Sequence, residues 1–446
     1  MSAELIVKAP SFIDSFEKHV EPLFDSGPDF VRSLRLRAWK SFLELGIPST
    51  KHEEYKYTPL RGLADNVFSP AEKSLEVEDS GKTIVSNVKS TKLFFVNGYL
   101  VEGTKLPDGI IALPLDRAIT EIPEEIEKVL GKIAPWEKHS FVALNTAHLE
   151  QGIFIKIPKN TEIEEPIQIV FLTKGAHEPV TTQPRVVIVV EPNSKAEIIE
   201  SYIGEGLYFT NSVSEVVLAE NAQLEHTKIQ DESTDSYHLS AIQVVQHANS
   251  TYLSHNIAFG GALARTDLNV FLDGQGCHCW LNGVYFNTGE RLIDNHTRID
   301  HAKPECNSFE VYKGILAGHS TGVFNGKIFV HKDAQKTDAK QTNQALLLHP
   351  AATVFTKPQL EIFADDVKCT HGVTVGRIQE DAMFYLRARG IPKHVAAHIL
   401  VYAFASEVLE KISNEELRLA TEKVLFDRLE EAYTRGETED LWVTKR

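Results

Sequence analysis

The sequence predicts a mainly β protein, in which a stacked β-solenoid is flanked by helical segments. From about residue 152 to residue 376, short apolar strands alternate with small polar turns, and no helical period intervenes. Towards both ends of the chain, apolar residues recur at helical spacing instead. The chain has 446 residues, which suits two or three domains or one elongated domain.

Four regions are expected. They are an N-terminal helical region (1–90), a hairpin and connecting segment (91–150), a β-solenoid core (151–376) and a C-terminal helical domain (377–446). In FVRSLRLRAWKSFLELGIP, one helical face carries Val31, Leu34, Ala38, Phe42 and Leu45. The glycine and proline that follow are typical of the end of a helix.

The second region begins with a predicted hairpin. In LFFVNGYLVEG, the dipeptide Asn97-Gly98 tolerates the positive φ angles of a tight turn between two strands. A less regular stretch of helical character, DRAITEIPEEIEKVLGKI, leads from there towards the core.

The core shows a repeat of strand and turn. The turns in EPNSKAEI, AENAQLEH, QHANSTYL and DGQGCHCW follow one another at roughly 27 residues, a period typical of a stacked solenoid. Farther along, in AGHSTG, HKDAQKT, HPAAT and FADDVK, the interval drops to about half of that. A β-sandwich is the alternative, since it also has short strands with frequent turns. The small residues at the corners favour the solenoid.

The last region is predicted to hold three helices. Gly390 ends the first helix, Pro392 opens the second, and Ser413-x-x-Glu416 reads as a capping box for the third. The second helix is apolar nearly all round between Val395 and Ala405, so it needs burial on more than one side. A partner protein or a three-helix bundle would both provide that burial.

Composition excludes several classes of protein. The net charge of −16 argues against a nucleic-acid groove and against binding to an anionic membrane. No apolar run approaches the roughly 20 residues of a membrane-spanning helix. The N-terminus lacks the pattern of a signal or transit peptide, and four cysteines are too few for a disulfide framework. We therefore expect a cytoplasmic protein.

Three other motifs in the chain resemble chemical sites. GHSTGVFNGKIF is one residue short of a phosphate loop and lacks its hydroxyl residue, so ATP binding by this chain is not expected. His394 and His398 share a helical face, but packing is favoured over metal binding because no third ligand is indicated. Cys277 and Cys279 share a strand face and are interpreted as small buried hydrophobes.

The stretch LEIFADDVKCTHGVTVG carries the strongest chemical signal. On a strand, Cys369 and His371 project to the same face, and a thiolate beside an imidazole suits iron or zinc. Two ligands leave a metal site open, so another chain would have to complete it. A capped strand end with a satisfied histidine is the alternative. We interpret Asp365 and Asp366 as turn formers rather than ligands.

The same stretch resembles the SufB/SufD family of iron–sulfur cluster assembly proteins. ADDVKCTHG, TVG and FYLRARGI resemble the SufD branch, whereas a SufB would carry a glutamate-rich segment in place of KCTHG. The resemblance extends through FEVYKGILAGHSTGVFNGKIFVHKDAQKTDAKQTNQALLL and AWKSFLELGIPSTKHEEYKYTPL, and so covers most of the chain.

The resemblance implies a right-handed parallel β-helix flanked by helical domains, and a scaffold without catalytic activity. The implied partners are a SufB-like subunit and a SufC-like ATPase that carries the ATP, with a homodimer possible when the chain is alone. A nascent cluster would form at the interface with SufB, with no cofactor stably bound by this chain alone. His371 and Cys369 are the implied metal ligands. The implied partner-binding residues are Phe384, Tyr385, Arg389, His394 and Leu400.

Two other functions remain open at this stage. One is a stand-alone metal-dependent enzyme that uses Cys369, His371 and Asp365. The other is a purely structural β-solenoid interaction protein without a metal.

Overall fold

The computed structural model describes residues 6–73, 85–107, 109–175 and 178–438. The helices are α1 (Pro10–Val20), α2 (Asp29–Leu45), α3 (Arg61–Ala64), α4 (Leu115–Glu121), α5 (Pro123–Ile126), α6 (Ser140–Ala147), α7 (Glu380–Arg387), α8 (Lys393–Leu409) and α9 (Glu415–Thr434). Glu21–Leu23 and Glu53–Tyr55 form single 3₁₀ turns.

The strands before the regular coils are β1 (Ile6–Val7), β2 (Ile47–Pro48), β3 (Ser69–Pro70), β4 (Thr91–Val96), β5 (Tyr99–Gly103), β6 (Ile111–Pro114), β7 (Gly152–Ile157), β8 (Ile167–Lys174), β9 (Val180–Thr182) and β10 (Arg185–Val190). Those that follow are β11 (Lys195–Glu205), β12 (Tyr208–Leu218), β13 (Gln223–Asp231), β14 (Tyr237–Gln246), β15 (Thr251–Ala258), β16 (Leu263–Leu272), β17 (His278–Asn287), β18 (Leu292–His301), β19 (Asn307–Leu316), β20 (Thr321–Val330), β21 (Asp338–Leu347), β22 (Thr353–Ile362) and β23 (Lys368–Gly376).

From β10 onwards, successive strands alternate between two sheets. The first sheet runs β6-β7-β10-β12-β14-β16-β18-β20-β22, and the second runs β5-β4-β8-β11-β13-β15-β17-β19-β21-β23. From β10 to β23, each strand pairs in parallel with the strand two positions away in the chain. The chain therefore winds as a parallel solenoid of about 8 turns, and the β-sandwich alternative is wrong. The handedness of the coil stays a prediction.

Asparagines form one corner of the coils. Asn160, Asn193, Asn221 and Asn249 all adopt positive φ angles between 57° and 59°, the left-handed conformation that asparagine tolerates well. The amide of Asn193 donates to the side chain of Asn160 at 3.0 Å, and that of Asn221 donates to Asn193 at 2.8 Å. The small polar turns are thus one stacked corner, and each coil repeats the same bend.

The predicted halving of the turn interval is wrong. The turns in AGHSTG and HPAAT join the second sheet to the first, whereas those in HKDAQKT and FADDVK join the first sheet to the second. The chain therefore crosses between the two sheets in the same regular way throughout the solenoid. The later stretch merely shows turn-type residues at both corners, where the earlier stretch shows them at one.

The interior between the two sheets is mainly apolar and closely packed. Gly283 pairs in register with Tyr312, and Tyr285 pairs in register with Gly314. A Cβ at either glycine would collide with the tyrosine ring of the neighbouring coil. The two glycines therefore provide the space for two large, fully buried aromatic rings.

Helices cover the outer faces of both sheets. In α2, the predicted residues Val31, Leu34, Ala38 and Phe42 are buried, as the helical period requires. They join a cluster with α1, α6 and outward residues of the first sheet. On the second sheet, α8 and α9 pack against outward residues such as Ile257 and Val284.

Two local predictions have different outcomes. The hairpin is confirmed: β4 and β5 are antiparallel, and Asn97 and Gly98 have φ angles of 53° and 86°. The capping box is wrong, because α9 is capped one residue later by Asn414, whose side chain accepts the N–H of Leu417 at 3.0 Å. Glu416 instead accepts the backbone N–H of Lys89 at 2.6 Å.

Candidate functional site at the open end of the solenoid

The last coil leaves the interior of the solenoid open at one end. Strand β22 pairs with β20 and strand β23 pairs with β21, and within the described part of the chain no further coil follows either strand. Residues that would face the core in an inner coil are therefore exposed here. Ile362 is 39% exposed, Val373 39% and Val375 44%. An apolar surface of this kind is typical of an interaction site.

Cys369 and His371 lie on β23 within this surface. Strand geometry places them on one face, about 6.6 Å apart along the strand. Cys369 is in register with the buried Ala339, and it packs at the edge of a small core formed with Leu360 and Val367. His371 is exposed, and the residue in register beneath it is Gln341.

The electrostatic surroundings of Cys369 favour its neutral thiol. Burial raises the pKa of Cys369, and the nearby carboxylate of Asp338 raises this pKa further. A thiol must lose its proton to bind a metal, so Cys369 is a poor ligand until a cation or a partner changes its surroundings. An imidazole binds a metal through a ring nitrogen, and that of His371 is exposed at this surface.

The two aspartates before β23 serve the turn. Asp365 and Asp366 are exposed in the connection between β22 and β23. The carbonyl of Asp366 accepts the N–H of Lys336 at 2.6 Å, and its own N–H donates to the side chain of Gln335 at 2.9 Å. This backbone pairing agrees with their interpretation as turn formers.

The cysteines of the C-x-C motif lie elsewhere, in the solenoid interior. Cys277 and Cys279 are fully buried in the apolar core, and His278 faces the outer side of the sheet, stacked on Trp280. The sequence did not predict that Cys306 lies beside Cys277. Its Sγ and that of Cys277 both contact the carbonyl of Gly274, at 3.2 Å and 3.1 Å. The coil register brings these thiols together, and spacing alone gives no sign of it.

The predicted partner-binding residues lie on α7, α8 and their connection. Phe384 is 73% exposed and Tyr385 is 56% exposed, although both are aromatic. The guanidinium of Arg389 lies 3.6 Å from the centre of the Tyr385 ring. His394 is exposed beside the ring of Tyr433. Phe384, Tyr385 and Arg389 thus expose aromatic and cationic side chains at one end of α7, a composition that is enriched at protein interfaces.

Helix α8 is buried on more than one side, as predicted, but not all round. Its inner residues pack on the second sheet and on α9, and its half-buried Leu400 packs against α7. His398 faces Glu430, with 3.4 Å between Nε2 and Oε2. Val395 is 38% exposed and Ile399 41% exposed, so apolar surface remains on α8.

The glycine-rich stretch near Gly318 has no phosphate-loop geometry. Its residues form a turn and then strand β20, whereas a phosphate loop must open a helix. Among the described residues, no group of three or more His, Cys, Asp or Glu side chains is placed to hold a metal ion. No helix of the described part of the chain is long and apolar enough to cross a membrane.

Comparisons with known proteins agree with this architecture. A family model described as "SUF system FeS cluster assembly, SufBD core domain" matches residues 171–404, and one described as "SufBD protein N-terminal region" matches residues 7–169. An iron–sulfur cluster assembly SufBD family protein of Synechocystis is 33% identical over 82% of this chain and 84% of its own length.

Two further relatives show the same extent of similarity. The iron–sulfur cluster assembly protein SufD of Escherichia coli is 30% identical over 85% of this chain and 88% of its own length. The chloroplastic protein ABCI7 of Arabidopsis thaliana is 32% identical over 87% of this chain and 84% of its own length. The chain therefore belongs to the SufBD family of iron–sulfur cluster assembly proteins, with relatives that include SufD.

Proposed function

We propose that this chain is a SufD-type scaffold subunit whose open end pairs with a SufB-like subunit. The observation that carries the proposal is the exposure of His371 in an apolar surface at the end of the solenoid. An interface there would cover Val373, Val375 and Ile362, and would place the imidazole against ligands of the second subunit.

The cluster is the cargo of this site rather than a resident cofactor. His371 would supply one ligand, with Cys369 beside it as the second candidate. Thiolates and imidazoles both bind iron, and the remaining positions around the metal would be filled by the partner. A mixed ligand set that is divided between two chains can release its cluster when the chains move apart.

The C-terminal helices provide the surface for the second partner. Phe384, Tyr385 and Arg389 form an exposed patch, with His394 and Leu400 on the adjoining helix. We assign this patch to a SufC-like ATPase, which would carry the ATP. In this assignment the chain has no catalytic role of its own. It works in the cytoplasm or in another reducing compartment.

The test replaces His371 by alanine in a complex co-expressed with a SufB-like subunit and a SufC-like ATPase. We expect intact assembly, because His371 contributes little apolar area, but severalfold less cluster per complex, measured by absorbance and iron content. His247→Ala is the matched control, since that imidazole is also exposed but lies at a corner of an inner coil.

Two outcomes would contradict the proposal. Undiminished cluster formation by His371→Ala would leave a purely structural solenoid protein. Turnover, or tight stoichiometric metal binding, by the isolated chain would favour a stand-alone metalloenzyme.

A further inference from the structure

A polar ladder leads from the solenoid interior to His371. Glu310 on β19 is in register with Gln341 on β21, and Gln341 is in register with His371 on β23. Glu310 and Gln341 are each 1% exposed, whereas His371 is exposed at the open end. Adjacent strands of a sheet are about 4.8 Å apart, so each side chain is within hydrogen-bonding reach of the next.

Glu310 fixes the orientation of the Gln341 amide. The Nε2 of Gln341 donates to Oε2 of Glu310 at 2.6 Å. The amide nitrogen thus faces the inner coil, which leaves the amide oxygen for the opposite side. His371 is the next rung of the ladder on that side.

The amide oxygen of Gln341 is an unused acceptor. Within the described part of the chain, this buried Oε1 has no hydrogen-bond partner. A buried polar atom without a partner costs about 1–3 kcal/mol, so a hydrogen-bond donor that reaches this oxygen would be held there. The atom lies beneath an imidazole whose ring N–H groups are donors.

The opposite sheet makes room for this amide. Gly326 on β20 faces Gln341 across the interior, and a Cβ at residue 326 would collide with the amide nitrogen and carbon. Glycine at this position therefore permits the amide to lie where it does. The Gln341 side chain therefore has a defined orientation. The carboxylate of Glu310 holds its nitrogen, and Gly326 gives it space.

We propose that Gln341 is the positioning residue of this site: its Oε1 accepts the N–H of one His371 ring nitrogen and so presents the other nitrogen at the open end. Histidines that bind metals generally donate their second ring N–H to a fixed acceptor, which sets the tautomer and the ring orientation. This inference rests on the proposed function of His371 as a ligand.

The experiment reads the tautomer of His371 directly. The full chain is labelled with ¹⁵N-histidine, and the His371 ring signals are assigned by their loss in His371→Ala. We expect one tautomer in the wild type and a mixture of both in Gln341→Leu. The double variant Glu310→Gln/Gln341→Glu exchanges the amide and the carboxylate, so residue 310 donates, residue 341 keeps an acceptor oxygen for His371, and a single tautomer should be restored. Unchanged signals of the other histidines show that each variant is folded.

Cluster assembly on the complex provides the second readout. Gln341→Leu should lower the cluster yield severalfold, and the double variant Glu310→Gln/Gln341→Glu should restore most of it. An unchanged His371 tautomer in Gln341→Leu, no restoration in the double variant, or a full cluster yield with mixed tautomers would each overturn the inference. Full yield in His371→Ala would instead overturn the proposed function, and the tautomer result would be independent of it.

Discussion

The surroundings of single residues in this protein are set by the residues in register with them in the adjacent coils. Cys369 and His371 could be identified from sequence because a spacing of two places them on one strand face. Their exposure could not, since it depends on β23 being the last coil. Gln341 carries no sequence signal at all. Its position beneath His371 follows from a register between residues thirty positions apart in the chain.

The glycine and tyrosine pairs give a prediction at this scale. Gly283→Ala should destabilise the fold by about 1–3 kcal/mol, because the added methyl would overlap the buried ring of Tyr312. Urea unfolding followed by circular dichroism measures the loss. Gly376→Ala is the matched control, since a Cβ there meets no atom within 4 Å. Equal stability of the two variants would contradict the packing described.

At the scale of elements, prediction succeeded where local periodicity decides the structure. Helix α2 has an apolar face and was predicted, whereas all eight residues of α6 are buried, so it shows no amphipathic period to detect. The capping-box prediction failed because Ser413 and Glu416 both bind residues that are distant in the chain. The N–H of Ser413 donates to Glu225 of β13 at 3.0 Å, and Glu416 is engaged by Lys89.

One buried arginine anchors the N-terminal segment to the first sheet. Arg265 is bound by Asp267 and Asp294, donates to the carbonyl of Glu54 at 2.6 Å, and lies over the ring of Tyr55 at 4.1 Å. Its side chain is 3% exposed. The arginine therefore joins two coils of the solenoid to the segment that follows α2.

Arg265→Met should cost about 3–5 kcal/mol, because Asp267 and the buried Asp294 lose the guanidinium that they share, which leaves His296 as the cation beside both carboxylates. We expect faster limited proteolysis near Lys56 and a lower midpoint in urea. Arg298→Met is the control, since Arg298 makes the same contact with Asp300 two residues on but is 42% exposed. Its expected cost is within about 1 kcal/mol. A similar loss in both variants would contradict the anchoring role.

At the scale of the whole molecule, the fold class was predictable because the strand period is regular. The sequence did not show that both corners repeat, since only one carries asparagine throughout its early coils. The two outer faces are covered by helices from opposite ends of the chain, and no element among the described residues covers the end formed by β22 and β23. This asymmetry leaves one end for association.

Val375→Glu should abolish the proposed pairing with a SufB-like subunit, because a carboxylate would be buried without a partner in the proposed apolar interface. Since Val375 is 44% exposed in the free chain, its stability should change by no more than about 0.5 kcal/mol. Light scattering after size-exclusion chromatography measures the pairing. Val67→Glu is the control, at a valine that is 51% exposed in the N-terminal region. Normal pairing by Val375→Glu would place the interface elsewhere.

The stacked asparagine corner has a consequence for how the molecule can change in length. The side chains of Asn160, Asn193 and Asn221 bond to one another, and their backbone N–H groups donate to the carbonyls of the next coil at the same corner, so an added or deleted turn would find the same contacts at both of its faces. The distance from the N-terminal helices to the imidazole could then vary only in steps of about 4.8 Å, one strand spacing at a time. The length of such a protein therefore depends on the number of its repeats and not on the shape of any one repeat.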